Sequence, residues 1–145
     1  MLKNPLICAL DLDSPKDAIL MARAIGDRVG AYKVGPRLLL RGGAPMMDAL
    51  NQFAPVFVDF KFYDIPSTTY SSVQTAFQLG ATLVTVHASA GVETLQGLAN
   101  LEAELNEERP FKILAVTILT SFNDSNLPKN LKKQPVASHV FDLCD

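Results

Sequence analysis

The 145-residue sequence predicts an α/β fold, a parallel sheet assembled from repeated strand–helix units. Three observations carry that expectation. Short apolar or β-branched runs recur about every 25 residues along the chain. Each is followed by a stretch whose apolar residues fall at helical spacing, the crossover that parallel strands need and antiparallel ones do not. The polar residues Asp11, Lys33, Asp59, Lys61, His87 and Thr120 gather at the strands' carboxyl ends. Both (β/α) barrels and open doubly wound sheets place their sites at that end, so the clustering by itself leaves the two open.

Taken in order, Leu6 to Leu12 reads as the first strand, ended by Asp11 and Asp13. Ser14 and Pro15 then supply an N-cap and a proline at the first helical position. The helix that follows carries Ala18, Ile19, Ala22 and Ile25 on its apolar side, and Gly26 and Gly30 break it. Ala31 to Gly35 is a second strand with Lys33 in its middle. Pro36 to Leu40 starts a helical or turn segment that Gly42 and Gly43 interrupt. Ala44 to Phe53 continues as helix, its Met46 and Met47 read as core filler.

Val56, Phe57 and Val58 form a buried third strand between Pro55 and Pro66. Alternation puts Asp59 and Lys61 on one face of it and Phe60 and Phe62 on the other, with Asp64 just beyond. Charge in so apolar a setting is costly unless paired. The plain reading is a structural Asp–Lys pair on a solvated face. The functional one is a charged catalytic array.

Ser67 to Leu79 reads as helix with Gly80 as its stop. Thr82 to His87 is a fourth strand, rich in β-branched residues. Ala88 to Gly91 turns into a helix from about Val92 to Glu104, and a polar loop leads to a fifth strand, Lys112 to Leu119. The stretch from Phe122 to Gln134 is rich in Asn, Asp, Pro and Lys and reads as a mobile loop. Val136, Val140, Phe141 and Leu143 then begin another helix. His87 reads as an ordering hydrogen-bond donor and His139 as a surface residue.

Composition narrows the class. A hydrophobic fraction of 48% with 19% charged residues describes one globular core. A net charge of −2, with no tryptophan, offers neither a basic surface nor a stacking platform for nucleic acid. No run approaches the ~20 apolar residues of a membrane helix, so no membrane partner is expected and the location expected is cytoplasmic. Cys8 and Cys144 lack metal spacing, and no disulfide is expected. No G-x-G-x-x-G or P-loop motif appears, which disfavours dinucleotides and ATP.

With these residues in view, the sequence resembles the orotidine 5′-phosphate decarboxylase family. The match rests on Ala9-Leu-Asp11, Lys33-Val-Gly35, Asp59-Phe-Lys-Phe-Tyr-Asp-Ile-Pro66 with Thr68, Val86-His-Ala88, and Val116-Thr-Ile-Leu-Thr-Ser121, in the family's order. The resemblance implies a (β/α) TIM-type barrel, here incomplete, with about five of eight βα units. On that reading residues 1–145 are the N-terminal part of one barrel domain, and the C-terminal units are absent.

The implied activity is decarboxylation of orotidine 5′-phosphate to UMP without cofactor or metal, in a homodimer when full length. Lys33, Asp59, Lys61 and Asp64 would form the catalytic array, Lys61 protonating the ring carbon and Asp64 reaching the neighbouring subunit's site. Asp11, Lys33 and Thr68 would hold the ribose and Thr120 the pyrimidine, with Asp59, Lys61, Asp64 and Ile65 completing the substrate contacts. A carbanion-like species needs a fixed cation beside it, and opposite charge nearby keeps such a cation charged.

The family's phosphate-gripping loop and arginine are not found; Arg37 and Arg41 do not stand in the matching places. These 145 residues alone are therefore expected to be inactive or nearly so, and prone to associate through bare strand edges. The alternatives are a non-enzymatic truncated βα module and a magnesium-dependent sugar-phosphate decarboxylase or synthase sharing D-x-K-x-x-D, against which Ile65-Pro66 weighs.

Overall fold

The order of the strands separates the two sheet architectures that the sequence left open. In the computed structural model, which describes residues 2, 4–131 and 133–144, five strands form one sheet. They are β1 (Ile7–Ala9), β2 (Ala31–Val34), β3 (Val56–Phe62), β4 (Ala81–His87) and β5 (Lys112–Val116). All pair in parallel, and their order across the sheet is their order in the chain. Doubly wound sheets reverse direction at a switch point; this one never does. It is an incomplete (β/α) barrel.

Helices α1 (Pro15–Ile25), α2 (Pro36–Asn51), α3 (Pro66–Gln78) and α4 (Val92–Glu108) alternate with the strands, and α5 (Val136–Asp142) follows β5. None is long and apolar enough to cross a membrane. Proline stands at the start of α1, α2 and α3, where a missing N–H costs nothing. Ser14 caps α1 as the sequence indicates, accepting from the Asp17 N–H at 3.2 Å. The Gly42–Gly43 interruption is a kink within α2, made by Gly43 at φ 55°, ψ −156°.

Three elements differ from the sequence reading by more than two residues at an end. β1 and β5 are shorter than the apolar runs that suggested them, because apolar character continues past the last paired residue. α4 runs on to Glu108, since Asn106 and Glu107 extend the helix instead of opening a loop. The 122–134 stretch, in which Lys132 lies outside the described residues, is folded into turns. Asn126 and Asn123 accept backbone N–H groups there, and Leu127 is buried.

Period-2 alternation divides the sheet into two environments. Tyr32, Val34, Val56, Val58, Val84 and Val86 pack against Ala22, Leu38, Leu50, Val73, Leu98 and Leu105 from the helices, forming the main core. Met46 and Met47 are buried in it as filler. On the other face Ala31, Phe57 and Leu83 meet as a small apolar floor. The next residues of that parity toward the carboxyl ends are Lys33, Asp59 and Thr85. The fold thus lifts three polar side chains one layer above an apolar base.

Among the described residues no strand pairs with the outer edge of β1 or β5. Leu6, Ile7 and Leu114 are exposed beside those edges. Unpaired edges flanked by apolar side chains template further pairing. Sedimentation velocity at roughly 50 µM, within the range where such edges associate, is expected to show a dimer or larger species. A single monomeric boundary there would contradict it.

Candidate active site

Asp59 is the hub of the site. Its Oδ2 lies 3.1 Å from Lys33 Nζ on β2, and its Oδ1 lies 2.8 Å from Lys61 Nζ on its own strand. Thr85 Oγ1 on β4 approaches the same Oδ1 at 2.9 Å. The Asp59 side chain is only 14% exposed, against 28% for Lys33 and 36% for Lys61. One half-enclosed carboxylate therefore anchors two ammonium groups whose outer sides remain accessible.

Burial alone would raise the Asp59 carboxyl. Hydrogen bonds from Lys61, Thr85 and Lys33, with the Lys61 charge, outweigh burial and hold it below the ordinary carboxylate range.

Lys61 reaches this position through an irregular backbone. Along β3–β4, Val58 pairs with Val84 and Phe62 with Val86, so four steps on β3 match two on β4. The extra residues bulge out of the ladder, a feature common beside active sites. Lys61 has φ 51°, the only non-glycine residue at positive φ among those described. That conformation costs of order 1–3 kcal/mol and persists where surrounding contacts over-determine it. Here they do. Phe60 and Phe62 pack on the helix side, their ring centroids 5.4 Å apart, and the Lys61 N–H donates to Thr85 Oγ1 at 2.9 Å.

The remaining sequence candidates stand around this array. Asp11 is exposed two residues past Ala9, the register partner of Lys33, and its carbonyl accepts from Arg37 at 3.3 Å. Asp64 is exposed, with Oδ1 accepting the Ile65 N–H at 2.7 Å. It is not part of the Lys33–Asp59–Lys61 cluster within this chain. Ile65 is exposed at the cap of α3, and Thr68 is exposed in that helix's first turn. Thr120 is exposed in a turn beyond β5. Arg37 and Arg41 are engaged by Asp13 at 3.3 and 3.1 Å. His87 acts as acceptor through Nδ1, from the Ser89 N–H at 3.4 Å, and lies against Tyr63.

Thr85 is the residue sequence reasoning passed over. Its signal was parity: two positions before His87, it falls on the face that carries Lys33 and Asp59. A β-branched residue in a β-rich run looks like strand propensity alone.

Two cavities flank the array without including it. One of about 240 Å³ lies between His87, Phe122, Leu131 and His139 at the same rim. A larger groove of about 950 Å³ opens at the strands' amino ends, lined by Pro55, Leu83, Arg109 and Phe111. Size does not locate the chemistry here, because the charged groups converge elsewhere. Among the described residues, no three His, Cys, Asp or Glu side chains come together as a metal site. The Asp59 oxygens, taken by three donors, are poorly placed to serve one.

The array can present positive charge to an anionic ligand and deliver a proton from an ammonium.

Comparison with known proteins bears on which ligand. A family model described as "Orotidine 5'-phosphate decarboxylase / HUMPS family" matches residues 4–142. An orotidine 5′-phosphate decarboxylase of Bradyrhizobium diazoefficiens is 41% identical over 126 residues, 86% of this chain and 51% of that protein. One from Alcanivorax borkumensis is 38% identical over 127 residues, 87% of this chain and 54% of its own length. The crystal structure of orotidine 5′-phosphate decarboxylase from Lactobacillus acidophilus superposes with a TM-score of 0.84 at 31% identity, covering 97% of this chain and 65% of that one. The chain spans about half the length of these two sequence relatives.

Proposed function

The chain belongs to the orotidine 5′-phosphate decarboxylase / HUMPS family, and from that premise we propose that its site carries the decarboxylation of orotidine 5′-phosphate to UMP, in the cytoplasm, as part of pyrimidine nucleotide synthesis. The observation that carries this reading is the Lys33–Asp59–Lys61 array at the carboxyl ends of β2 and β3. Loss of carbon dioxide leaves an electron pair on the ring carbon. The Lys61 ammonium stabilises that developing charge and then transfers its proton to the same carbon, leaving a neutral amine that solvent reprotonates. Asp59, itself anchored by Lys33, holds Lys61 in place. The Asp59 charge also faces the substrate carboxylate until it departs, a contribution of second rank.

Residues 1–145 are, in this proposal, the N-terminal part of one eight-unit barrel whose other units grip the phosphate. Asp11, Lys33 and Thr68 bind the ribose, Thr120 the pyrimidine, and Ile65 the substrate's edge. Asp64 serves the neighbouring subunit of a homodimer; its exposure, together with that of Tyr63 and Ile65, supports this.

Remote phosphate contacts drive chemistry at the ring. The 145 residues alone are therefore expected to consume orotidine 5′-phosphate at least about a thousandfold more slowly than a fusion joining them to the remaining half of the Bradyrhizobium relative. Loss of substrate absorbance measures both, with and without a chelator. A folded fusion without turnover would sink the proposal, and activity abolished by the chelator would move it to the magnesium-dependent sugar-phosphate branch.

A further inference from the structure

Resting on the reading of Lys61 as proton donor, we propose that Thr85 is a positioning residue of this site, its hydroxyl fixing the Lys61 backbone and the Asp59 carboxylate together. The hydrogen-bond directions are forced. A backbone N–H can only donate and an ionised carboxylate can only accept. Thr85 Oγ1 therefore accepts from Lys61 N at 2.9 Å and gives its one proton to Asp59 Oδ1, also at 2.9 Å. With Thr85 only 4% exposed, little water can replace either bond.

Both bonds act where the array would otherwise be loose. The bulge removes the Lys61 N–H from the β3–β4 ladder at the residue whose φ is 51°. Thr85 supplies the acceptor that the ladder does not, holding the bulge in one shape. Its bond to Oδ1 selects the carboxylate orientation in which that oxygen faces Lys61 Nζ and Oδ2 faces Lys33 Nζ. The ammonium is thus aimed from β3 by a side chain on β4, and one hydroxyl couples them. An ordinary strand threonine would bond one neighbour; this one bridges the strained backbone and the only carboxylate of the cluster.

Thr85→Val keeps the shape and loses both bonds, whereas Thr85→Ser keeps both and loses a methyl group. Two readouts on the 145-residue chain need no turnover, so a failure of the decarboxylase reading would not be mistaken for a failure here. In Thr85→Val the Lys61 amide is expected to exchange with solvent at least about tenfold faster, while β4 amides away from the site keep their protection. By carboxyl NMR, Asp59 should titrate upward toward the ordinary range. The charged groups facing it are Lys33 from β2 and Lys61 from its own strand; the one titratable residue of β4 is His87, set against Tyr63. Thr85→Ser should match the wild type in both. An unchanged Lys61 amide and Asp59 titration in Thr85→Val, or a serine variant behaving like valine, would overturn the proposal. If valine prevents folding, Thr85→Ala is read by the same criteria.

Discussion

Lys61→Met in the fusion enzyme is expected to lower turnover by at least about four orders of magnitude while leaving UMP binding within about tenfold. Two contributions disappear together. Fixed positive charge beside a developing anion is worth roughly a hundred- to a thousandfold, and a positioned proton donor roughly a hundred- to ten-thousandfold. Because one ammonium supplies both, a single substitution removes their product. Methionine matches the length of the stem, so packing against the bulge is kept and the change isolates the charge. Lys61→Arg should not rescue, since a guanidinium holds its proton too firmly to give it up and its planar fork does not fit a point-charge position. Steady-state absorbance assays and product titration read the two quantities. A methionine variant within tenfold of the wild type would move the chemistry away from this residue.

How far the site was legible depended on what kind of signal each part leaves. Val56 to Val58 announce a buried strand, and parity places Asp59 and Lys61 on one face of it; the pair does meet at 2.8 Å. Nothing in that pattern reveals the bulge, because two extra residues preserve parity and so leave alternation undisturbed. Lys61 at φ 51° is equally silent, since the strain comes from neighbours on β4 and lysine has no special affinity for that region. Lys33 could be placed on the second strand, but its partner, 26 residues later, follows only from register. The resemblance set Lys33, Asp59, Lys61 and Asp64 in one array, with Asp64 reaching a neighbouring subunit's site. Within one chain the array is one carboxylate, Asp59, between two ammoniums, and Asp64 turns to its own helix cap. Barrel topology likewise lay beyond periodicity, which yields parallel units but not their order, and strand order alone excludes a switch point.

That central carboxylate makes Asp59→Asn the second large effect. The amide is isosteric but carries no charge, and it has one acceptor oxygen where the carboxylate has two. Lys33 and Lys61 would then face each other across a group that neutralises neither. Turnover in the fusion enzyme is expected to fall by roughly a thousandfold, because Lys61 loses the anchor that aims it. Stability should fall as well, by about 1–3 kcal/mol near neutral pH, since removing one partner leaves like charges uncompensated in a half-enclosed site. The sign of the pH dependence follows from the depressed Asp59 carboxyl. A group held below its unfolded value contributes stability that is fully present above that value, about 3.9 for Asp, and is lost as pH falls through the folded one. The gap between wild type and Asp59→Asn, measured by urea unfolding at neutral pH, should therefore narrow on acidification through that window. A gap that stays constant or widens in acid would mean that Asp59 is not the ionised centre of the cluster. The case for an ammonium aimed by a carboxylate would then fail with it, whatever the family resemblance.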